Sequence, residues 1–426
     1  MNTFKETPYW WEEAEPQAAD NGSPPEKADI VVVGGGFAGM GAAIPLARAG
    51  RDVIVLERDW PGDGASSRNG GITSGNLRVS FSKLVAKFGM EKAKAFYAEG
   101  NEARDDLKAF IENEKVDCDY ELVGRFTGAM NAESLENMKR EIDLLNRQVG
   151  IDAKIIERSE QSDEIGTELY HGGVSRSDIG GVHPGKMHRG MRKVAEKSGV
   201  KIFGGTGVTD ISRVGGQFKV TTPKGVIMAS HVIVATNGYT DAGLPWLRRR
   251  LVPVISEMIA TQPLSANLMK TLMPKRQMYG EAREVGHYYR PSPDGTRILL
   301  GGRRLSSDSA VARERLRQGL VDIFPELSES QLSHHWFGFV AFPMDQLPKL
   351  TIHDGVVYAT GFCGSGVVWA RWMGQKAAMV VLGSEDGASA FDGPAFHAIP
   401  FYNGKPWFLP VMMGWYKLKD QMSRRK

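Results

Sequence analysis

Apolar residues in this chain fall into short runs that stop at glycines, which is typical of buried strands leading into helices. Three valines within residues 29–33 run into three glycines, an alanine-rich helical pattern continues to about Gly50, and a second apolar run covers 53–57. Strands buried on both faces have continuous apolar runs instead of alternation. The pattern therefore predicts a strand–helix–strand unit near the start of the chain.

Similar runs return later. The stretch "VIVATNG" at 232–238 is an apolar strand that stops at a polar turn, and 355–383 has the pattern of a strand, a glycine turn and a helix. Alternating residues predict β structure in 198–211 and 251–304, and helical patterns occupy roughly 82–113, 133–149 and 309–324. The predicted fold class is α/β: a discontinuous Rossmann-like nucleotide-binding domain with an inserted α+β domain built on a mixed or antiparallel sheet.

This alternation of segment types sets the predicted domain boundaries. The nucleotide-binding domain takes three stretches and the inserted substrate domain takes two. The predicted divisions are a leader (1–27), nucleotide-binding parts (28–114, 175–250 and 338–385), substrate-domain parts (115–174 and 251–337) and a tail (386–426).

Charge and composition exclude several partners. The 53 basic residues nearly balance the 50 acidic ones, so we expect no nucleic-acid binding and interpret the Arg248–Arg250 run as a solvated turn. Two cysteines imply no disulfide framework, and no transmembrane or signal-peptide pattern is found. We therefore expect a cytoplasmic protein without a metal site, and an oligomer is possible.

The glycines after the first strand predict a phosphate site. Gly34, Gly36 and Gly39 have the G-x-G-x-x-G spacing, followed by a helix whose first N–H groups are free to bind an anion. In this motif the first glycine permits a tight turn, the second lets backbone approach a pyrophosphate, and the third lets helix and strand pack closely. Glu57, which lies 21 residues beyond Gly36 at the end of the second run, is placed to bind an adenosine ribose. These residues fit NAD and FAD equally well.

The loop that follows distinguishes the two cofactors. "GASSRNGG" at 64–71, "GGVHPGKM" at 180–187, "YYRPSPDGTRILLGGR" at 288–303 and "GFCGSGV" at 361–367 appear in that order. With these pieces the chain resembles the D-amino-acid-oxidase-like (DAO) family of flavoenzymes, and within it the gamma-glutamylputrescine oxidoreductase branch. No second G-x-G-x-x-G lies on a plausible strand, so the chain shows no separate NAD(P)H domain.

The resemblance implies FAD, with its adenylate on the first glycine turn and its isoalloxazine between the 64–71 loop and the 361–367 turn. By itself the second turn is also compatible with a simple strand-to-helix connection. The residues expected to bind FAD are Gly34, Gly36, Phe37, Ala38, Gly39, Glu57, Arg58, Gly64, Ala65, Ser66, Ser67, Arg68, Asn69, Gly70, Gly71, Val208, Gly364, Ser365, Gly366 and Val367.

The activity implied is oxidation of a C–N bond in an amine or N-substituted amino acid. Hydride passes to flavin N5, and the imine hydrolyses to an aldehyde or oxoacid, with O2 or another compound as electron acceptor. Two alternatives remain at this point: a nicotinamide-dependent dehydrogenase, and a flavin-carrying subunit of a larger complex. In the second, the leader aromatics Tyr9, Trp10 and Trp11 and the aromatic tail would form an interface instead of packing on their own chain.

Three residues are candidates for direct roles in catalysis. Tyr288 and Arg290 share one face of a predicted strand whose family counterparts line the substrate pocket, although a surface hairpin would have the same pattern. His335 is the third candidate, on the hypothesis that it lies near the flavin.

The chain differs from the sarcosine-oxidase branch of the family at its charged positions and at the positions that attach the flavin covalently. Val368 stands where that branch has a carboxylate-binding lysine, and Leu299 where it has a second lysine facing the flavin. The positions that tether flavin in relatives fall near Gly338 and Arg68. We therefore predict a non-covalent FAD, and a substrate whose reacting end is an amine without an α-carboxylate unless Arg290 binds that group.

Overall fold

The computed structural model describes residues 4–19 and 21–424, and their strands form two large sheets and one small one. The strands are β1 (Lys27–Val33), β2 (Val53–Leu56), β3 (Ile72–Thr73), β4 (Arg125–Gly128), β5 (Ala153–Ile156), β6 (Gly173–Arg176), β7 (Gly180–Gly181), β8 (Lys201–Phe203), β9 (Asp210–Val214), β10 (Gln217–Thr222), β11 (Gly225–Val234), β12 (Val252–Thr261), β13 (Met278–Glu281), β14 (Tyr288–Pro291), β15 (Ile298–Arg303), β16 (Leu332–Phe342), β17 (Lys349–His353) and β18 (Val356–Thr360).

The helices lie between these strands and against their faces. They are α1 (Trp11–Ala14), α2 (Phe37–Arg48), α3 (Ala65–Arg68), α4 (Phe81–Phe88), α5 (Met90–Asn113), α6 (Ala132–Gln148), α7 (Pro184–Lys197), α8 (Pro245–Arg248), α9 (Ala266–Leu272), α10 (Ser309–Ile323), α11 (Gly366–Leu382) and α12 (Leu409–Arg424). In the described part of the chain, none of them has both the length and the apolar character needed to cross a membrane.

The first sheet has the strand order β17-β18-β11-β1-β2-β8, and a β9–β10 hairpin extends β11. Its four central pairings, from β18 to β8, are parallel, so the carboxyl ends of these strands meet at one edge. Helices α2 and α11 cross closely on one face because glycines stand at the crossing. A Cβ at Gly374 would come within 2.1 Å of the Ala38 carbonyl oxygen.

The second sheet has the order β16-β12-β15-β14-β13-β4-β6-β5. All its pairings are antiparallel except that of β13 with β4. Its strands come from two separated stretches of chain, which agrees with a domain inserted into the first. The predicted boundaries remain a prediction, and those after residues 174 and 337 fall inside β6 and β16.

One predicted helix is divided in two. The pattern at 82–113 predicted one helix, but α4 ends at Phe88 and α5 begins at Met90. Gly89 between them has φ 82°, a left-handed conformation that stops the first helix and that glycine adopts without strain. Apolar periodicity continues across the break because both helices contribute to the same core.

The aromatic residues of the leader pack on their own chain. Tyr9 and Trp10 are buried, and Lys5 pairs with the edge of β16, where its N–H donates to the Ser333 oxygen at 2.8 Å. The tail differs, because Trp407, Val411 and Trp415 are exposed on and before α12. The leader aromatics therefore do not support the hypothesis of an interface with partner chains.

Candidate active site

A cavity of about 580 Å³ lies between the two large sheets. One wall is the carboxyl edge of the first sheet, with the ends of β1, β2 and β11 and the turn after β18. The opposite wall is formed by β4 and β12–β16 of the second sheet. Ligands of open α/β sheets bind outside the carboxyl ends of the strands, so this is the expected location for a cofactor.

The glycine turn after β1 is built as its spacing predicts. Gly34 has φ 106°, and a Cβ there would lie 3.1 Å from the Ala235 carbonyl oxygen. A Cβ at Gly39 would lie only 1.8 Å from the Gly34 oxygen, so this glycine is required for the close packing of helix on strand. At Gly36 a Cβ would meet only the Ser66 hydroxyl, at 2.8 Å. Gly36 therefore leaves a cradle open toward the cavity, whereas Gly39 is needed by the fold itself.

Glu57 connects this turn to the end of β2. Its carboxylate accepts hydrogen bonds from the N–H of Gly35 at 2.7 Å and of Asp59 at 3.1 Å. Burial nevertheless raises the pKa of Glu57, since these two donors only partly offset the loss of water. Arg58 and Val208 line the same end of the cavity, where the ribose and adenine are expected.

Three indole side chains hold the 64–71 loop in place. The indole N–H of Trp10 donates to the Asn69 oxygen at 2.8 Å, that of Trp11 to the Ser67 hydroxyl at 2.9 Å, and that of Trp336 to the Arg68 oxygen at 2.8 Å. Two of these tryptophans come from the leader and one from β16. Segments far apart in the sequence therefore fix the loop that faces the expected isoalloxazine.

The second glycine turn begins helix α11 at the cavity. Asn237, which follows β11, accepts hydrogen bonds from the Gly361 N–H at 2.9 Å and the Thr360 hydroxyl at 3.1 Å. The N-cap residue Ser365 makes no capping bond to the helix, and its hydroxyl instead donates to the Asn76 oxygen at 2.9 Å. The first N–H groups of α11 are thus left for a partner in the cavity.

The side chains of the second sheet line the part of the same cavity that we call the chamber, and its residues include Arg125, Ser256, Glu281, Tyr288 and Arg303. The Tyr288 ring lies over Gly301, where a Cβ would come within 2.2 Å of it, and its hydroxyl lies 3.0 Å from the Ser256 hydroxyl. The same ring approaches the 64–71 loop, since a Cβ at Gly70 would be 2.9 Å from it. Tyr288 therefore stands where the two walls meet.

Glu281 lies at the edge of this chamber, and neighbouring groups compensate the negative charge of its carboxylate. It accepts hydrogen bonds from Arg283 at 2.7 Å and from the His287 backbone N–H at 2.6 Å. Burial by itself would raise the pKa of this carboxyl group, but His287 and Arg283 outweigh that effect and lower it to about 2. The group is ionised at neutral pH and is not poised to act as a base.

Most of the predicted cofactor residues line the cavity together. They are Gly34, Gly36, Phe37, Ala38, Glu57, Arg58, Gly64, Ala65, Ser66, Arg68, Asn69, Gly70, Val208, Gly364, Ser365, Gly366 and Val367. Three others lie behind the wall. Gly39 packs helix on strand, Ser67 donates to the Gly62 oxygen, and Gly71 takes φ 69° against the Val182 oxygen.

Of the three candidate catalytic residues, only one lines the cavity. Tyr288 lines the cavity, as expected. Arg290 shares the face of Tyr288 but does not line the cavity, because its buried guanidinium donates to the Val182 oxygen at 2.8 Å and to the Gly70 and Gly71 oxygens at 3.4 Å. His335 points to the other face of β16, where it contacts Glu257 at 3.2 Å. Neither Arg290 nor His335 is placed to touch a substrate.

Several chamber residues were not predicted from the sequence. Asn76, Arg78, Arg125, Thr127, Ser256, Glu281, Arg283, His287 and Arg303 all line the cavity. They come from five separate stretches of chain and form no local motif. The alternation of β4 places Arg125 and Thr127 on one face, but the sequence does not show which face the cofactor approaches.

The cradle fits FAD by its own geometry. Three features lie along one continuous cavity. They are the glycine turn, which has no side chain at Gly36, the uncapped start of α11, and the 64–71 loop, where the Tyr288 ring lies against Gly70. A dinucleotide pyrophosphate needs the first feature, and a flavin edge that gains negative charge is stabilised by the second. In the described residues no group of histidine, cysteine or acidic side chains could hold a metal ion.

Comparison with known proteins agrees with this geometry. Residues 29–379 match the DAO family, described as FAD dependent oxidoreductase. The chain is 28% identical to gamma-glutamylputrescine oxidoreductase of Escherichia coli over 402 residues, which cover 93% of each protein. It is also 28% identical to the probable oxidoreductase OrdL of Rhizobium meliloti, over 93% of this chain and 92% of the relative.

Solved structures share the fold. Glycine oxidase from Geobacillus kaustophilus superimposes with a TM-score of 0.72 at 20% identity, covering 88% of this chain and 99% of that one. L-amino acid deaminase from Proteus vulgaris gives a TM-score of 0.70 at 22% identity, with 87% and 93% covered. The predicted fold class, the family resemblance and the FAD cofactor are confirmed. The chain belongs to the DAO family of FAD-dependent oxidoreductases.

Proposed function

We propose that the protein oxidises a C–N bond of an amine or N-substituted amino acid and that its FAD is bound without a covalent tether. The observation that carries the proposal is that one continuous cavity is lined both by the FAD cradle and by Tyr288. The names of the relatives support the substrate class, since gamma-glutamylputrescine and glycine are both amines.

The side chains suit a reaction that needs position more than acid–base catalysis. When bound, FAD supplies the acceptor for the two electrons and the hydrogen of the carbon next to nitrogen. Tyr288, lying over Gly301 and against Gly70, forms an apolar wall that holds the substrate in place and excludes water. Arg283 and His287 stabilise the anion of Glu281, and this makes its carboxylate a weak base. We therefore expect no proton transfer from the amine to Glu281, and the amine that reacts is the fraction already neutral in solution.

The positions that correspond to known tethers carry no suitable nucleophile. Arg68 and Gly338 are neighbours in the cavity wall, since a Cβ at Gly338 would lie 3.5 Å from that of Arg68. Neither residue can form a bond to flavin carbon. Acid precipitation of the purified protein should therefore release the yellow colour into the supernatant, and colour retained in the pellet would contradict a non-covalent FAD.

Anaerobic flavin bleaching tests the reaction. The purified yellow protein is mixed with polyamines, N-methyl amino acids, or D- and L-amino acids, and flavin absorbance is followed. We expect bleaching by one class, with return of the colour on admission of O2 or an added acceptor. A purified protein without flavin colour would instead support the nicotinamide alternative. Bleaching only after addition of a partner chain would support the flavin-subunit alternative.

A further inference from the structure

The C-terminal segment leaves large apolar side chains open to solvent on one side of α12. The most exposed of them, which we call the tail surface, are Phe401, Trp407, Val411, Trp415, Leu418 and Met422. The last four follow one another at intervals of four, three and four residues, which places them on the same side of a helix. An exposed apolar surface of this kind marks a site of interaction, whereas single exposed apolar residues are ordinary.

The opposite side of α12 is attached to the body of the protein. Met413 is buried, and the Asp420 carboxylate accepts hydrogen bonds from the N–H groups of Glu284 and Val285, both at 2.9 Å. Lys419 pairs with Glu284 at 2.5 Å, and Glu284 lines the cavity. The helix is therefore fixed along the rim of the cavity, and the tail surface faces away from the protein.

Basic residues border the beginning of the tail surface. Arg249 and Lys405 are exposed, and the Arg248 side chain packs over Gly404, where a Cβ would lie 2.1 Å from its Nε. A hydrogen bond from the Ile399 N–H to the Arg249 oxygen, at 2.9 Å, joins the arginine turn to the tail. The arginine run therefore lies beside the exposed apolar side chains.

The composition of the tail distinguishes between lipid and protein as the occupant. Residues 393–426 contain six lysines and arginines and one acidic residue, Asp420, whose carboxylate already accepts two backbone hydrogen bonds. Protein interfaces are depleted in lysine, whereas helices that lie in the headgroup region of a membrane combine basic residues with tryptophan and leucine. The excess of positive charge is complementary to anionic lipid.

We propose that the tail surface docks on the headgroup region of an anionic lipid bilayer. Because its other side is attached to the protein, α12 lies parallel to the bilayer, and Trp415 and Leu418 enter the boundary between headgroups and acyl chains. The rim of the cavity at Glu284 is then about one helix diameter, ~10 Å, from the lipid. The proposal concerns attachment and does not depend on the proposed oxidation.

Vesicle sedimentation tests the proposal. The FAD-loaded protein is mixed with vesicles of phosphatidylcholine, either alone or with about a third of phosphatidylglycerol, and the flavin absorbance left in the supernatant is measured. We expect the anionic vesicles to bind at least about 10-fold more tightly, and to lose about 10-fold or more of this affinity between about 0.1 M and 0.5 M salt. Equal binding to both vesicles, or no sedimentation with the anionic ones, would overturn the proposal.

The double variant Trp415→Ser/Leu418→Ser tests the apolar contribution. It removes the centre of the tail surface and should weaken binding to anionic vesicles by about 30-fold or more. Val214→Ser/Val226→Ser is the matched control, since both valines are exposed on strands away from α12, and it should bind as the wild type does. Unchanged binding by the first variant, or equal losses in both, would contradict docking through the tail surface.

The double variant Arg249→Glu/Lys405→Glu tests the charge contribution. Each basic residue near an anionic surface contributes about fivefold to the affinity, so reversing two charges should weaken binding to anionic vesicles by about 10-fold or more. Binding to phosphatidylcholine alone should change little. An unchanged affinity for the anionic vesicles would show that these cations do not face the lipid.

Gel filtration without lipid tests the alternative occupant, a second copy of this chain. We expect the wild type and Trp415→Ser/Leu418→Ser to elute at the same volume and to melt at the same temperature, because both side chains are exposed. A wild-type dimer that this variant dissociates would assign the tail surface to a second copy and overturn the proposal. A marked loss of thermal stability would show that the two side chains pack on their own chain, and it would overturn the proposal as well.

Discussion

The two walls of the cavity use different parts of the polypeptide. The wall expected to hold FAD presents backbone groups: the turn at Gly34 and Gly36, the start of α2 and the uncapped start of α11. The chamber wall presents side chains, chiefly Tyr288, Glu281 and Arg125. We expect the first wall to bind the phosphates and the flavin edge of FAD, and the second to distinguish substrates.

This difference also determines what a substitution does. A backbone cradle is damaged by adding atoms, because its function depends on space and free N–H groups. A side-chain chamber is damaged by removing atoms, because its function depends on charge and shape.

Adding a side chain at Gly36 should give the largest effect. Its Cβ meets only the Ser66 hydroxyl, so Gly36→Val should still fold but fill the pyrophosphate space and weaken FAD binding by more than about 100-fold. Flavin content and circular dichroism of the purified variant measure both. Gly39→Ala is the matched control, and we expect it to lose folded protein because its Cβ would contact the Gly34 oxygen. Full FAD content in Gly36→Val would show that the turn does not hold the cofactor.

Removing Arg290 should damage stability more than substrate choice. Its guanidinium is the donor for the Val182, Gly70 and Gly71 oxygens, which Arg290→Leu would leave buried without it. We expect a loss of about 3–5 kcal/mol in the free energy of unfolding, with little change in flavin reduction by amines that carry a carboxylate. Urea unfolding measures the first quantity, with the exposed Arg315→Leu as control. A stable variant that lost only its activity toward amines that carry a carboxylate would support Arg290 as the group that binds the carboxylate.

The carboxyl group of Glu281 should make stability depend on pH. Its pKa is lowered to about 2 in the folded protein, so its contribution is present above about pH 4.5 and is lost as the pH falls toward 2. At pH 7 Glu281→Gln should be less stable by about 2–3 kcal/mol, and the difference should shrink on acidification. Urea unfolding between pH 7 and pH 3 measures this. The exposed Glu168→Gln serves as control, and a difference independent of pH would contradict the assignment.

The leader should contribute the smallest effect. Trp10→Phe removes the hydrogen bond to the Asn69 oxygen while keeping an aromatic ring, at a cost of about 1 kcal/mol. Because Asn69 belongs to the 64–71 loop, which is expected to face the isoalloxazine, FAD affinity should fall by about three- to fivefold. Equilibrium dialysis of FAD measures it, with the exposed Trp60→Phe as control. An unchanged affinity would show that the leader packs against the loop without positioning it.

The same contrast explains what the sequence could predict. The cradle is encoded in contiguous stretches, so the glycine spacing, Glu57 and the 64–71 loop could be placed before the fold was known. The chamber is assembled from strands separated by up to about half of the chain, and β4 meets β13 across roughly 150 residues. Arg290 and His335 were plausible by residue type, but their partners are backbone carbonyls and Glu257. Residue type and strand alternation do not reveal such partners.

Single-turnover chemistry tests most directly whether one cavity joins FAD to a chamber for an amine. The FAD-loaded protein is mixed without oxygen with the amine that bleaches it fastest, and flavin reduction and carbonyl product are both measured. We predict one aldehyde or oxoacid formed for each flavin reduced, since two electrons leave one C–N bond. Flavin reduction without any carbonyl product, or no reduction by any amine in the panel, would contradict the account.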